Sequence, residues 1–222
     1  MSSTLRWADD PKWQLAGKKL FSRSSFVRSC VDVKDLPVNS LPEIAFAGRS
    51  NVGKSSIINA LTDNKTLARV SAMPGRTQQL NYFQIADQFY LVDMPGYGYA
   101  QAGRREVMGW QNLMKAYLRG RHSLLRLFLL IDSRHGLKKL DEDFMKFLDS
   151  AALSYQIVLT KIDKLNIGEQ KAIHEKMAPK IAAYQAAHPE ILTTSASDNI
   201  GIQSLQAEIA ALIARSPTKP GY

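Results

Sequence analysis

The chain has 222 residues, 45% of them hydrophobic, which is enough for one sizeable core and little room for a second domain. Lysine and arginine number 29 against 20 acidic residues; the net charge of +9 suits a polyanionic partner such as nucleic acid or an acidic surface. The single cysteine, Cys30, excludes an intrachain disulfide framework and fits a reducing cytosol, and the polar first residues and short apolar runs give no expectation of a secretory leader or membrane insertion.

Residues 1–21 show no clean period. Trp7 and Trp13 sit among Arg6, Lys12, Lys18 and Lys19, which reads as a mobile basic arm or as an irregular cap anchored by its tryptophans. Residues 1–22 are taken as a basic N-terminal extension to a domain over 23–215. Ser25 to Val33 carries β-branched and aromatic residues in partial alternation and predicts a strand containing Cys30 as a small core or edge residue. A turn-rich stretch from Asp35 to Pro42 follows. Ile44-Ala45-Phe46-Ala47 predicts a buried strand and Ile57 to Leu61 a helix start.

Thr62 to Thr77 has no period, contains Pro74-Gly75 and reads as a long loop, of a length that is usually functional or disordered. Gln79 to Ile85 and Gln88 to Val92 predict strands joined by a tight hairpin at Ala86-Asp87. A glycine-rich run from Tyr97 to Gly103 precedes a helix marked by Val107, Trp110, Met114 and Tyr117. Leu124 to Ile131 is a buried strand ending at Asp132. Leu140, Phe144, Phe147 and Leu148 mark an amphipathic helix, with Asp141, Glu142 and Asp143 expected at its solvated start. Gln156 to Leu159 is a further strand. Lys171 to Met177 is helical, with a break or kink expected at Pro179. Ile191 to Thr194 is a last strand, and Ile202, Leu205, Ile209 and Leu212 define a last helix. Ser216 to Tyr222 is expected to be a disordered tail.

Strands and helices alternate, so the predicted fold is α/β: a mixed, mainly parallel sheet with helices on both faces and one antiparallel hairpin. Ligands of such sheets bind beyond the carboxyl ends of the strands. Four motifs fall there. Gly48-Arg49-Ser50-Asn51-Val52-Gly53-Lys54-Ser55-Ser56, between a strand and a helix, fits the phosphate-cradling G-x-x-x-x-G-K-[ST]. Lys54 would reach the β- and γ-phosphates and Ser55 would ligate magnesium. Asp93-Met94-Pro95-Gly96 offers a carboxylate to the magnesium shell, usually through water, and the Gly96 N–H to a γ-phosphate. Thr77 could complete that shell only while the γ-phosphate is present, as a switch does. Thr160-Lys161-Ile162-Asp163 suits guanine, because the Asp163 carboxylate can accept from both the ring N1–H and the exocyclic amine, donors adenine lacks there. The Lys161 stem can lie along the base. Thr194-Ser195-Ala196 places the Ala196 N–H where it could donate to the guanine carbonyl.

This set resembles the G-motifs of the translation-factor-related GTPases, and most closely the EngB family. The carrying residues are Leu41 to Ser56, Pro74-Gly75-Arg76-Thr77-Gln78 with Gln79 beside them, Asp93 to Tyr99, and Asp132 with Arg134. The resemblance covers Phe26 to Arg215. It implies a Ras-like P-loop GTPase fold, bound GTP or GDP with Mg2+, and a switch protein of large ribosomal subunit assembly that is needed for normal cell division and septation. It further implies a cytoplasmic protein without a stable oligomer, whose partner is a large-subunit precursor or its rRNA. Two departures matter. Thr160 stands where the wider pattern has asparagine. Tyr97 stands where Ras-type enzymes carry a water-positioning glutamine, so intrinsic hydrolysis should be slow. In related GTPases an asparagine at the place of Asn51 helps hold potassium, which the resemblance extends to this chain.

Two other classes compete: a nucleotide-gated interaction module with negligible turnover, and a P-loop kinase or ATPase, which Lys161 and Asp163 oppose. For an RNA partner, the basic run Arg104, Arg105, Lys115, Arg119, Arg121 and Arg126, with Tyr97, Tyr99 and Trp110 in or beside it, is the expected surface, Trp110 itself belonging to the core. The four histidines show no metal-ligand spacing.

Overall fold

The computed structural model describes residues 6–38, 41–68, 79–97 and 113–216. Its strands are β1 Ser24–Cys30, β2 Glu43–Gly48, β3 Leu80–Ile85, β4 Phe89–Asp93, β5 Leu124–Asp132, β6 Tyr155–Thr160 and β7 Leu192–Thr193. They form one sheet in the order β1-β3-β4-β2-β5-β6-β7. From β4 through β7 all neighbours run parallel, while β3 pairs antiparallel with both β1 and β4. The helices are α1 Pro11–Phe21, α2 Lys54–Leu61, α3 over residues 113–120, α4 Lys139–Ser150, α5 Ile167–Ile181 and α6 Ile202–Ala214.

The central strands read as unbroken apolar runs because both faces are covered. In β2, Ala45 and Ala47 point into the core under α3, α4 and α5, where Tyr117, Met145 and Met177 pack. Ile44 and Phe46 point into the opposite core with Ile57, Leu205 and Ile209. The Phe46 and Phe128 rings stack across β2 and β5 with centroids 5.4 Å apart. Ala86 and Asp87 both adopt left-handed φ, 48° and 56°, the twist-matched geometry of a two-residue hairpin.

The aperiodic start folds as well. A single 3-10 turn, Trp7–Asp9, leads into α1, which Asp10 caps by accepting from Lys12 N at 2.9 Å and Pro11 opens. Helix α1 lies on α6 so closely that a Cβ at Gly17 would stand 2.6 Å from the Gln206 carbonyl carbon. Leu20 and Phe21 are buried, and the Phe21 ring meets Phe89 edge-on at 5.7 Å. The Arg215 guanidinium covers the Trp7 ring at 4.0 Å.

Several local expectations need correction. Strand β1 stops at Cys30, because Asp32 accepts from Lys34 N and starts the 3-10 turn Val33–Asp35. The Cys30 thiol is buried and donates to Asp35 O at 3.1 Å; burial pushes its pKa up. Helix α5 begins at Ile167, ahead of Lys171, on a capping box in which Asn166 and Glu169 bond each other's backbone N–H. It continues past Pro179 to Ile181, since a proline in the last turn removes a bond where the helix is already ending. Ser216 is buried and its N–H bonds Ile213 O, and residues 217–222 lie outside the described residues.

Glu43, Arg126, Asp141 and Glu208 are interior despite their charge, and Arg121 is half-buried. Glu43 has no exposure; its carboxylate accepts from Tyr117 Oη at 2.8 Å, Tyr82 Oη at 3.3 Å, Arg121 Nε at 2.6 Å and Ser123 Oγ at 3.1 Å. Arg121, expected on an RNA surface, is half-buried instead, its guanidinium tied down by Glu43 and by Pro37 O at 2.7 Å. Arg126 is buried with Glu208 and Gln156, at 2.7 and 2.9 Å. Asp141 is 1% exposed, not solvated.

Candidate nucleotide site

The carboxyl ends of β2, β4, β6 and β7 deliver the four motifs to one edge. The phosphate loop leaves β2 at Gly48 and enters α2 at Gly53, whose φ of 102° reverses the chain. No side chain caps α2. Its first N–H groups, at Lys54, Ser55 and Ser56, thus keep their positive dipole end for an anion. Asn51 is also left-handed, φ 65°, and its side chain is exposed.

Other strand ends hold this loop in place. Thr160 Oγ1 donates to Val52 O at 2.7 Å, so the threonine that replaces an asparagine still ties β6 to the phosphate loop. Lys161 Nζ donates to Asn51 O at 2.8 Å and pairs with Asp132 at 3.0 Å. Asp132 also takes Arg134, at 2.7 Å. Burial works to raise the Asp132 pKa, but Arg134 and Lys161 outweigh it and hold the carboxyl well below its usual range. Ile162 N donates to Thr194 O at 3.2 Å, which joins the third motif to the fourth. Asp163, its side chain only 5% exposed, pairs with Lys164 at 2.9 Å, and the nearby Ser195 hydroxyl, ahead of Lys164, lowers its pKa. Thr194 and Ser195 are buried; Ala196 is half-buried beside them.

On the other side, Lys54 forms an ion pair with Asp93. The turn after Asp93 lies against the phosphate loop: Ser50 N donates to Tyr97 O and Tyr97 N to Gly48 O, each at 3.2 Å. A Cβ at Gly96 would stand 3.0 Å from Ser50 Oγ and 3.1 Å from Ser50 N and Cα, so a side chain there would press on the phosphate loop. The Tyr97 side chain turns away from the nucleotide edge. It is 7% exposed, packs on Phe144 at 4.9 Å and donates its hydroxyl to Asp141 at 2.8 Å. Burial pushes both the Tyr97 phenol and the Asp141 carboxyl up, and the charge of Arg49 opposes both shifts. Tyr97 is therefore not one of the surface aromatics that the basic run was expected to present. Arg49 Nε is buried with no hydrogen-bond partner among the described residues.

The structure thus brings together Gly48 to Ser56, Asp93 to Gly96, Thr160 to Asp163 and Thr194 to Ala196. Gln79 lies half-buried just before β3. Gly75, Arg76, Thr77 and Gln78 lie outside the described residues, as do Arg104, Arg105, Tyr99 and Trp110. The motif reading missed Asp141, Glu43 and the burial of Tyr97. An acid directly before the apolar Ile44 to Ala47 was the available signal for Glu43; for Asp141 there was none.

A sequence family described as 50S ribosome-binding GTPase matches residues 43–161. The "Probable GTP-binding protein EngB" of Rhodospirillum rubrum is 53% identical over 203 residues, covering 89% of this chain and 88% of that one. Its namesake in Hyphomonas neptunium is 52% identical, covering 89% and 91%. The crystal structure of a probable GTP-binding protein engB superposes with a TM-score of 0.62 at 22% identity, over 78% of this chain and all of the other. Era in complex with MgGDPNP and nucleotides 1506–1542 of 16S ribosomal RNA gives 0.61 at 22% identity, over 82% and 59%. The two structural matches speak for the fold, and the sequence matches make this chain a GTPase that belongs to the EngB family of GTP-binding proteins.

Proposed function

We propose that the chain holds GTP or GDP with Mg2+ at this edge, hydrolyses GTP slowly, and uses the two nucleotide states to engage a precursor of the large ribosomal subunit. The observation that carries the reading is the pair of bonds from Thr160 and Lys161 to the phosphate loop. They tie the strand end that carries Asp163 to the phosphate cradle, which supports Asp163 as the carboxylate that would read guanine.

The donor set fits magnesium. Ser55 and Asp93 supply hard oxygens, and among the described residues no cluster of three or more His, Cys, Asp or Glu side chains could cage a metal by itself. Such a set suits an ion that takes most of its shell from phosphates and water. Bound there, the ion would neutralise charge on the phosphates. With nucleotide present, Lys54 exchanges Asp93 for phosphate, and the Gly96 N–H faces the γ-phosphate position. Thr77 would join the magnesium shell in the GTP state. Tyr97 is engaged with Asp141 and offers nothing to an attacking water, which supports a slow intrinsic rate. Potassium beside Asn51 would partly compensate. Turnover should then be faster in potassium than in sodium at equal ionic strength, and the difference should vanish in Asn51→Ala.

The ribosomal partner is supported by the description of the matched family and by the rRNA bound to Era. No helix among the described residues is long and apolar enough to cross a membrane. A cytoplasmic site of action belongs to the proposed reading through its ribosomal partner. A role in cell division and septation is part of the same reading. So is the division into a GTP-binding unit over 23–215 and an extension over 1–22. The test is Asp163→Asn: GTP affinity falls and xanthosine triphosphate, whose C2 oxygen meets the new amide donor, is accepted. Equal GTP affinity in variant and parent, measured by calorimetry, would overturn the guanine assignment.

A further inference from the structure

Between Asp10 and Asp32 the chain contains no acidic residue, while Lys12, Lys18, Lys19, Arg23 and Arg28 are all exposed. Among the described residues none of these five is paired with a carboxylate. Three of them, Lys18, Lys19 and Arg23, lie across the short junction between α1 and β1. Just beyond it Phe26 is 53% exposed, its ring lying edge-on to Phe83 at 5.8 Å on the sheet face that α1 covers. Lysines in the last turn of a helix are explained by the helix dipole. That accounts for neither Arg23, nor an aromatic ring left in water, nor the absence of any acid.

The junction is rigid and stands away from the nucleotide. Helix α1 is seated on α6 through Gly17, and Ala86 N donates to Arg23 O at 2.9 Å. Ser24 pairs with Ile85, next to the hairpin turn, whereas the Asp93 end of the hairpin pairs with Asn81. Arg23 and its neighbours therefore occupy the end of the sheet opposite the phosphate loop. None of them touches the turn that follows Asp93.

We propose that Lys18, Lys19, Arg23 and Phe26 form an RNA-binding surface whose affinity is independent of the bound nucleotide. The cations would neutralise backbone phosphates and Phe26 would stack on an unpaired base. The proposal rests on the ribosomal-RNA reading above and adds a second, constant contact to it. A constant contact holds the protein near its substrate in both nucleotide states, leaving the nucleotide end to govern a different, switchable contact.

The test uses the full chain and two probes: large ribosomal particles in co-sedimentation, and a fluorescein-labelled single-stranded 15-mer RNA in anisotropy titrations over a range of KCl. Each is run with GDP and with a non-hydrolysable GTP analogue. The variant Lys18→Gln/Lys19→Gln/Arg23→Gln should flatten the slope of log affinity against log salt for the 15-mer by about two. Phe26→Ala should weaken binding about tenfold to a hundredfold and leave that slope unchanged. Both effects should be equal in the two nucleotide states, and GDP affinity should match the parent in both variants, which reports an intact fold. If the parent binds particles but the triple variant keeps its affinity and slope, this surface is overturned and the ribosomal reading stands. If the parent binds no particle in either state, that reading itself fails. Binding of the parent to anionic phosphatidylglycerol vesicles but not to the 15-mer would overturn the RNA assignment in favour of a lipid surface.

Discussion

Strand β2 ends differently at its two extremities. At the amino end Glu43 is wholly buried and every strong acceptor position is used, by Tyr82, Tyr117, Arg121 and Ser123. At the carboxyl end Lys54 and Asp93, their side chains 13% and 9% exposed, hold each other, and Arg49 Nε has no partner among the described residues. One end is a saturated network, in which loss of Glu43 or Arg121 leaves an uncompensated charge and loss of a hydroxyl an unfilled acceptor. The other is an unsaturated pair whose members can each be taken over by a phosphate or a cation. The saturated end also fixes α3, through Tyr117 and Arg121, so the chain is anchored on the far side of the segment that follows the nucleotide motif. Rigidity and exchangeability are thus assigned to opposite ends of one strand.

The sharpest way to break this comparison is Glu43→Ala. It leaves the half-buried Arg121 without its carboxylate and Tyr82 and Tyr117 without their acceptor; loss of one partner from a fully buried pair costs about 3–5 kcal/mol, an upper bound here. The urea midpoint should fall accordingly. An unchanged midpoint would mean the network contributes nothing to the fixed end. A smaller effect, on a different quantity, is expected at the other end. Lys54→Ala should remove about 1.5–3 kcal/mol of nucleotide binding, a charge-assisted contact, while nucleotide-free stability changes far less than in Glu43→Ala. Calorimetry with GDP and GTP checks the first part and urea unfolding the second; unchanged binding would break the phosphate-loop assignment. The smallest effect concerns Asp132. Its folded carboxyl is depressed, so its stabilisation is present above the ordinary carboxylate pKa of about 4 and fades as pH falls below it. The Tm difference between parent and Asp132→Asn should therefore be full near neutral pH and shrink progressively on acidification. A constant difference would show that the charge of Asp132 is irrelevant to stability.

What the sequence made legible follows from range. The phosphate loop, the hairpin and the central strands are local patterns: a spacing, a pair of turn residues, an apolar run. They could be read from neighbours alone, and the α/β fold with its order of elements came with them. The burial of Glu43, Arg126, Tyr97 and Asp141 could not, nor the inward turn of Arg121, because each depends on a partner many residues away. Arg126 and Glu208 meet only after β5 and α6 have packed. Helix α1 escaped for another reason. Trp13, Ala16, Leu20 and Phe21 do fall at helical spacing on its buried side, but Gly17 in the middle of that stripe and the exposed Leu15 beside it blur the period. Thr160 was legible as a departure from the wider motif, but only the geometry shows that its hydroxyl still reaches Val52 O.

The buried Cys30 has a practical consequence. Its sulfur is closed off by β1 and by the Asp35 carbonyl, and its raised pKa keeps it in the unreactive thiol form at neutral pH. The chain is therefore spectroscopically silent towards maleimide dyes in its native state. A cysteine introduced at the exposed Lys115 of α3 would be the one site to take a label, so the saturated end of the molecule could report by fluorescence on events at the exchangeable end without any native residue being removed.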